Sequence, residues 1–180
     1  MSPAKEIIVI NPNSNEHVTD SMNTALNSFR FANGPIIKSV TNLDGPPGIE
    51  SQQDADSAAV QVADIIRRNN IADAFVIACF SDPGIFAARE VTNKPVFGIA
   101  ESGILTALSL GSSYGILAIL DTSVPRHIRY IRSLGLEKRL AGDLAIGLGV
   151  AELRDEKKTF HRLQEVGIKL RDNSGASVLI

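Results

Sequence analysis

The chain alternates short apolar runs with longer segments whose apolar residues recur at helical spacing. The first half predicts strand, helix, strand, helix, strand, helix and strand at residues 6–11, 16–29, 35–40, 51–68, 74–79, 85–91 and 94–99. Continuous apolar runs are typical of strands that are covered on both faces. Strands that alternate with helices predict an α/β fold with a doubly wound parallel sheet and right-handed crossovers.

The same pattern begins again after residue 100. It predicts helix, strand, helix, strand, helix and strand at residues 102–110, 114–120, 124–134, 143–148, 157–171 and 175–180. The segment EIIVINPNS at 6–14 resembles YGILAILDTS at 114–123, and residues 74–78 resemble residues 176–180. We interpret this as an internal duplication with a first lobe at 1–98 and a second lobe at 99–180. Because the chain stops inside a predicted central strand, the second lobe is expected to be truncated.

Composition limits the classes of partner. A hydrophobic share of 44% and a charged share of 21% are typical of globular domains. A net charge of -2 with scattered Lys and Arg argues against nucleic acid or an anionic membrane as partner. The sequence has no apolar run near the roughly 20 residues of a membrane span, and its N-terminus lacks the layout of a signal peptide. These features predict a cytoplasmic protein.

Metals and nucleotide cofactors are not expected. A single cysteine excludes an internal disulfide and a multi-thiolate metal site. The three histidines, His17, His127 and His161, are predicted on helix surfaces without a second ligand at metal spacing. No glycine-rich phosphate-binding motif is present, so we expect no cofactor. The face formed by Arg126, Arg129 and Arg132 is predicted to be solvated.

Cys79 is the first candidate for chemistry, because it ends the apolar run 74–78 and is followed by Ser-Asp-Pro-Gly at 81–84. In parallel α/β proteins, ligands bind outside the carboxyl ends of the strands. Asp82 and Pro83 are predicted as the N-cap and first residue of helix 85–91, whose N-terminus would favour a thiolate. A cysteine at a strand end is also common as a small buried apolar residue.

Five segments together resemble the Asp/Glu/hydantoin racemase family, and within it the hydantoin and allantoin racemases. They are IVINPNS at 8–14, GIES at 48–51, VIACFSDPG at 76–84, AARE at 87–90 and GIAE at 98–101. The resemblance implies a cofactor-independent racemase of two pseudosymmetric α/β lobes. It implies that a cysteine from each lobe faces the substrate's stereocentre, one removing the proton and the other returning one. Cys79 matches the first cysteine, and the second is expected in a Gly-Cys turn directly after residues 177–180. Family analogy also implies a homo-oligomer.

The resemblance assigns substrate contacts around Cys79. The predicted substrate-binding residues are Asn11, Asn13, Ser14, Ile49, Glu50, Phe80 and Ser81. The asparagine and serine side chains of the 11–14 turn would bind imide or ureido groups, and Ile49 and Phe80 would form an apolar wall. Backbone N–H groups after Cys79 and in the 11–14 turn would stabilise the oxyanion of an enolate. Asn11 and Ser14 are equally explained as caps of the first helix, and Glu50 as a solvated loop charge.

Three functions remain open from the sequence. Ala118 and Ile119 stand where the family often has threonines, Ser81 replaces a frequent glycine, and Gly48 replaces a frequent serine. These departures leave the substrate undefined. The first function is racemisation of hydantoin- or allantoin-type compounds by thiol-based proton transfer. The second is a related one-thiol reaction, either malonate decarboxylation or maleate-type isomerisation. The third is a non-catalytic binding domain or an inactive fragment of the fold.

Overall fold

The computed structural model describes residues 5–180, which divide into two compact units. The first unit contains the residues up to Ile49 together with Gln53–Ala100, and the second contains Glu50–Gln52 with Glu101–Ile180. The sequence pattern placed the division between residues 98 and 99. It did not anticipate that the short segment at 50–52 groups with the second unit.

The first unit is a parallel α/β sheet. Its strands are β1 (Glu6–Asn11), β2 (Ile36–Thr41), β3 (Ala74–Ile77) and β4 (Val96–Gly98), and its helices are α1 (Glu16–Ala25), α2 (Gln52–Arg68) and α3 (Ile85–Val91), with α4 (Ile99–Leu110) following β4. The strands lie in the order β2-β1-β3-β4, and every neighbouring pair is parallel. The predicted order of elements is confirmed, although the first helix ends earlier and continues as a 3-10 turn over Leu26–Phe29.

Apolar spacing explains why these elements form a core. Ile8, Val9 and Ile10 are consecutive and all buried, as expected of a central strand that is covered on both faces. In α2, Ala58, Val62 and Ile66 are spaced four residues apart and are fully buried, so one stripe of the helix is apolar. β1 therefore lies in the middle of the packed layers, and its carboxyl end is held in a fixed position.

The second unit repeats part of this arrangement. After α4 its elements are β5 (Tyr114–Ala118), α5 (Val124–Ser133), β6 (Leu140–Ala145), α6 (Glu156–Ser174) and β7 (Val178–Leu179). The three strands are parallel and lie in the order β6-β5-β7, which matches β2-β1-β3 of the first unit. This shared strand order agrees with the predicted internal duplication, which stays a prediction. A separate apolar core of this unit contains Ile146, Leu148, Val166 and Leu170.

Three predictions for the second unit are wrong. The strand predicted at 143–148 begins and ends three residues earlier, as β6 at Leu140–Ala145, and Asp143 lies inside it. His127 Nδ1 lies 2.9 Å from Asp143 Oδ2, and the Asp143 side chain is 1% exposed. His127 and Arg126 were predicted on solvated helix surfaces, but they are 5% and 6% exposed. α5 packs this polar face against β6, where a carboxylate partner makes burial of the imidazole tolerable.

No helix within residues 5–180 is both long enough and apolar enough to span a bilayer. In the same described part of the chain, no three His, Cys, Asp or Glu side chains group in a way that would hold a metal ion.

Candidate functional site

The carboxyl ends of β1 and β3 define the candidate site. The chain runs from β1 to β2 on one side, whereas β3 pairs with the other side of β1, so the strand order reverses between β1 and β3. Ligands of open α/β sheets bind at such a reversal. Ile10 is paired with Ile77, and the Ala78 N–H donates to the Ile10 carbonyl at 2.8 Å. Cys79 therefore leaves the sheet beside the turn that begins at Asn11.

Cys79 is half-buried and packs against an apolar cluster formed by Ile49, Ala55 and Ala58. Its carbonyl accepts the Ser81 N–H at 2.8 Å and the Asp82 N–H at 3.0 Å, which closes a tight turn directly after the cysteine. Cys79 thus packs against apolar side chains and is still partly exposed to solvent. Ile49, predicted as part of an apolar wall, is in the same cluster as Cys79.

Asn11 is 1% exposed, and the protein itself engages both ends of its amide. Its Nδ2 donates to Asn13 Oδ1 at 3.0 Å, to the Asn15 carbonyl at 3.1 Å and to Thr19 Oγ1 at 3.0 Å. Its Oδ1 accepts the Asn13 N–H at 3.1 Å. Thr19 Oγ1 in turn lies 2.6 Å from Thr41 Oγ1 at the end of β2. The amide of Asn11 therefore holds the turn that follows β1.

Asn13 presents a donor away from this network. Its Oδ1 accepts hydrogen bonds from Asn11 Nδ2 at 3.0 Å and from the Asn15 N–H at 2.9 Å. Two donors on one oxygen fix which end of the amide faces the turn. The Nδ2 group of Asn13 therefore points the other way. Asn13 is buried, at 7% exposed, and its Nδ2 is a candidate side-chain donor for a ligand.

Ser14 does not cap the first helix. The N-cap of α1 is Asn15, whose Oδ1 accepts the His17 N–H at 3.1 Å. Ser14 is half-buried, and its N–H donates to the Pro46 carbonyl at 2.9 Å. The capping explanation for Ser14 is therefore wrong, and its hydroxyl remains a candidate ligand group.

Backbone donors that were predicted to face an oxyanion are engaged within the protein. The Asn13 N–H donates to Asn11 Oδ1, the Ser14 N–H to a carbonyl, and the Ser81 N–H to the Cys79 carbonyl. The prediction is wrong for these three groups, because tight turns use their own N–H groups to close. Side-chain donors, above all those of Asn13 and Ser14, take their place as candidates.

Asp82 was predicted as the N-cap of the helix that follows Cys79, and this is wrong. The N-cap of α3 is Gly84, at φ 78°, and it makes no side-chain capping bond. Asp82 instead has φ 42°, and its buried Oδ1 accepts the Ala100 N–H in the first turn of α4 at 2.9 Å. The helix N-terminus predicted beside the thiol therefore begins two residues beyond the predicted cap, after a second left-handed residue.

Glu50 groups with the second unit. Its Oε1 accepts the Val150 N–H at 2.8 Å, and its carbonyl accepts the Thr122 hydroxyl at 3.0 Å. These contacts give Glu50 a structural role in the loops of that unit. Phe80 and Ser81, the two remaining predicted residues, are half-buried in the turn after Cys79.

Asn42 was not predicted, yet it holds the same turn from the side of β2. It is buried, its N–H donates to the Asn11 carbonyl at 3.0 Å, and its Nδ2 donates to the Pro12 carbonyl at 2.9 Å. A signal for it existed in the sequence, since Asn42 directly follows Thr41, the last residue of the strand that pairs with β1. Polar residues at the carboxyl ends of neighbouring strands tend to meet at one edge of the sheet.

Comparison with known proteins supports the same relationship over nearly the whole chain. The family model of Asp/Glu/hydantoin racemases matches residues 7–180. The hydantoin racemase of Paenarthrobacter aurescens is 33% identical over 179 residues, which covers 97% of this chain and 75% of that protein. The hydantoin racemase of Pseudomonas sp. (strain NS671) is 32% identical over 178 residues, covering 97% of this chain and 71% of that protein.

A solved structure supports the fold. The allantoin racemase from Klebsiella pneumoniae superimposes with a TM-score of 0.91 at 31% identity, covering 98% of this chain and 73% of that one. The predicted α/β fold with parallel sheets is therefore confirmed, and the named relatives are racemases, a class of isomerase. The length of the family match and the identity to these relatives lead to one conclusion: the chain belongs to the Asp/Glu/hydantoin racemase family.

Proposed function

We propose that this chain acts on a hydantoin- or allantoin-type compound and that Cys79 moves the proton at the stereocentre without a cofactor. The observation that carries the proposal is the position of Cys79, at the carboxyl end of β3 beside the Asn11 turn. This position is the ligand-binding edge of the sheet, in a chain whose relatives are named for racemisation of hydantoins and allantoin.

The proposed step begins with the Cys79 thiolate. The hydrogen on the carbon next to the carbonyl is acidic, and a free thiol titrates at about 8.5, close enough to neutrality for it to act as a base. The C–H bond breaks, an S–H bond forms, and negative charge develops on the carbonyl oxygen. Hydrogen bonds directed at that oxygen lower the barrier. We assign them to Asn13 Nδ2 and the Ser14 hydroxyl.

The remaining residues take supporting roles in this proposal. Ile49 forms the apolar side of the site, Phe80 is assigned to the same side by its place next to Cys79, and Ser81 completes the turn. Asn11 acts through Asn13, because its amide fixes the orientation of the Asn13 amide. Glu50 stabilises a loop of the second unit through Val150, and we assign it no part in the step at Cys79.

A single thiol predicts a specific stereochemical result. When one group removes a proton and returns one from solvent to the same face, hydrogen exchanges but the configuration is retained. Inversion needs a second acid on the opposite face. Cys79 is the only cysteine among these 180 residues, so inversion carried out by them alone would need a second acid of another type. Exchange and inversion must therefore be measured separately.

The test follows both quantities for each enantiomer of a 5-substituted hydantoin and of allantoin in D2O. Loss of the stereocentre's NMR signal measures exchange, and circular dichroism of the substrate measures inversion, with the spontaneous rate subtracted. We expect exchange by the wild-type chain and a loss of about 100-fold or more in Cys79→Ser. Asn70→Ala, on an exposed turn, is the control and keeps the wild-type rate.

The alternatives give different results in the same assay. Exchange that persists at the wild-type rate in Cys79→Ser refutes the assignment. Release of CO2 from a substituted malonate, without hydantoin exchange, supports the one-thiol decarboxylase. Asn13→Ala tests the oxyanion contact, and we expect it to lower kcat by about 10- to 100-fold, in the range measured for removal of one such donor.

A further inference from the structure

We propose that Asp82 is a positioning residue for Cys79, because its buried carboxylate ties the turn that carries the cysteine to the first turn of α4. The inference rests on the role proposed for Cys79 and adds a residue that does not itself touch substrate. It explains why an acidic side chain is buried three residues after the thiol.

The contacts of Asp82 run in three directions. Its N–H donates to the Cys79 carbonyl at 3.0 Å, and its own carbonyl accepts the Ile85 N–H at the start of α3 at 3.1 Å. Its Oδ1 accepts the Ala100 N–H at 2.9 Å. A single residue, 2% exposed, thus joins the cysteine, α3 and α4.

The backbone of Asp82 is held in an unusual conformation. Its φ of 42° lies in the left-handed region, which is unfavourable for residues with a Cβ. Such a conformation persists where the surroundings over-determine it, and it is concentrated at functional sites. The carboxylate bond to Ala100 and the turn bond to Cys79 supply that constraint here. Glycine would adopt this backbone more easily but would provide no oxygen acceptor.

Gly98 shows how closely the carboxylate is fitted. A Cβ on Gly98 would lie 2.1 Å from Asp82 Cγ and 2.2 and 2.5 Å from its two oxygens. No real Cβ makes contacts this short, so a side chain at position 98 must displace the carboxylate. Positions 82 and 98 are therefore coupled. Because Gly98 has no side chain, the Asp82 carboxylate has room to accept the Ala100 N–H.

The test uses the thiol itself as a reporter, because Cys79 is the only cysteine. Alkylation by iodoacetamide under native conditions measures access to the thiol without any substrate, and deuterium exchange of the hydantoin gives kcat and KM. For Asp82→Ala and Asp82→Gly we expect an alkylation rate at least threefold higher. We also expect kcat to be at least tenfold lower, with KM within about threefold. Asp82→Asn keeps an oxygen acceptor and tolerates the left-handed backbone, so it should rescue both quantities.

Two further variants keep the inference falsifiable if Asp82→Ala folds poorly. Gly98→Ala leaves Asp82 in place but should displace its carboxylate, and it should reproduce both changes. The pair Asp82→Gly with Gly98→Ala should be less defective than the sum of the single variants, since the new methyl group enters vacated space. Asp143→Ala, which also removes a buried carboxylate, is the control for general destabilisation and should leave alkylation unchanged.

The outcomes separate this inference from the proposed function. Alkylation and kcat that both stay within twofold of wild type in Asp82→Gly and Gly98→Ala overturn the positioning role while leaving the racemase assignment intact. Alkylation that responds as expected in a chain without hydantoin exchange overturns the proposed function and supports the positioning of the thiol.

Discussion

Replacing Asn11 tests whether its amide organises the turn beside Cys79. In Asn11→Ala the whole amide is lost. In Asn11→Asp the shape is kept, but an oxygen replaces the Nδ2 group that donates to Asn13 Oδ1 and to the Asn15 carbonyl. The two variants therefore distinguish the loss of hydrogen bonds from the introduction of a buried acceptor that faces other acceptors.

The magnitude follows from the contacts. Nδ2 has two hydrogens for three acceptors, and Oδ1 accepts one further bond, so about three hydrogen bonds are lost in Asn11→Ala. At a net value of about 1 kcal/mol each, the free energy of unfolding should fall by about 3 kcal/mol. In Asn11→Asp, burial and the facing oxygens raise the pKa of the new carboxyl group in the folded state. The unfolded chain then ionises first as pH rises, so the variant loses stability from about pH 4 upward until the folded-state pKa is reached.

Urea unfolding followed by far-ultraviolet circular dichroism measures this, since the chain has no tryptophan. At pH 4.5 and pH 8 the deficit of Asn11→Ala relative to wild type should be the same, whereas that of Asn11→Asp should grow with pH. Asn70→Asp, on an exposed turn, should stay within about 0.5 kcal/mol of wild type. A deficit of Asn11→Asp that does not change with pH would refute the hydrogen-bond assignment, as would Asn11→Ala with wild-type stability.

Three further predictions concern positions outside the site. The hydrogen bond from Lys5 lowers the pKa of Asp73, so the stability contributed by Asp73 is present above about pH 4 and is lost as the pH falls through the lowered pKa. In Asp73→Asn the urea midpoint of unfolding should therefore depend less on pH in this range. Burial raises the pKa of Tyr114 to about 12, and its hydroxyl bonds a carbonyl at 3.1 Å; Tyr114→Phe should remove the late step of the absorbance titration at 295 nm and cost about 1 kcal/mol. Gly84→Ala should destabilise more than Gly135→Ala in urea, because both have positive φ but only at Gly84 does a Cβ meet backbone, at 2.5 Å. Equal losses would contradict this reasoning.

Local pattern was sufficient to predict most elements. The apolar run at Ile7–Ile10 predicts a strand, and the four-residue spacing of apolar residues in α2 predicts a helix. Neither prediction requires knowledge of the residues that pack against the element. The position of Cys79 at the end of β3 followed from the same logic. The residues beside it at the end of β1 were predicted only through the family resemblance, because the order of elements along the chain does not decide which strands pair.

Partners distant in sequence could not be predicted. The pattern predicted a strand from Asp143, but it could not show that this carboxylate is buried against the imidazole of His127, 16 residues earlier in the chain. Asp82 has the sequence of a local helix cap, yet its acceptor serves an N–H that lies 18 residues further on. Both errors concern a buried polar group whose partner is chosen by tertiary packing.

The two units share a strand order but differ in where their buried polar groups lie. Both have the strand order that places their first strand at the centre, and apolar runs suffice to specify it. Their buried polar groups differ. In the first unit Asn11 and Thr19 lie at the carboxyl end of β1, whereas in the second His127 and Asp143 lie between α5 and an edge strand. A polar cluster at a strand end stiffens a ligand-facing turn, but one between helix and sheet stiffens only the packing. The reactivity of Cys79 should therefore respond to changes in the polar framework of its own strand ends far more than to changes in the polar pair of the second unit.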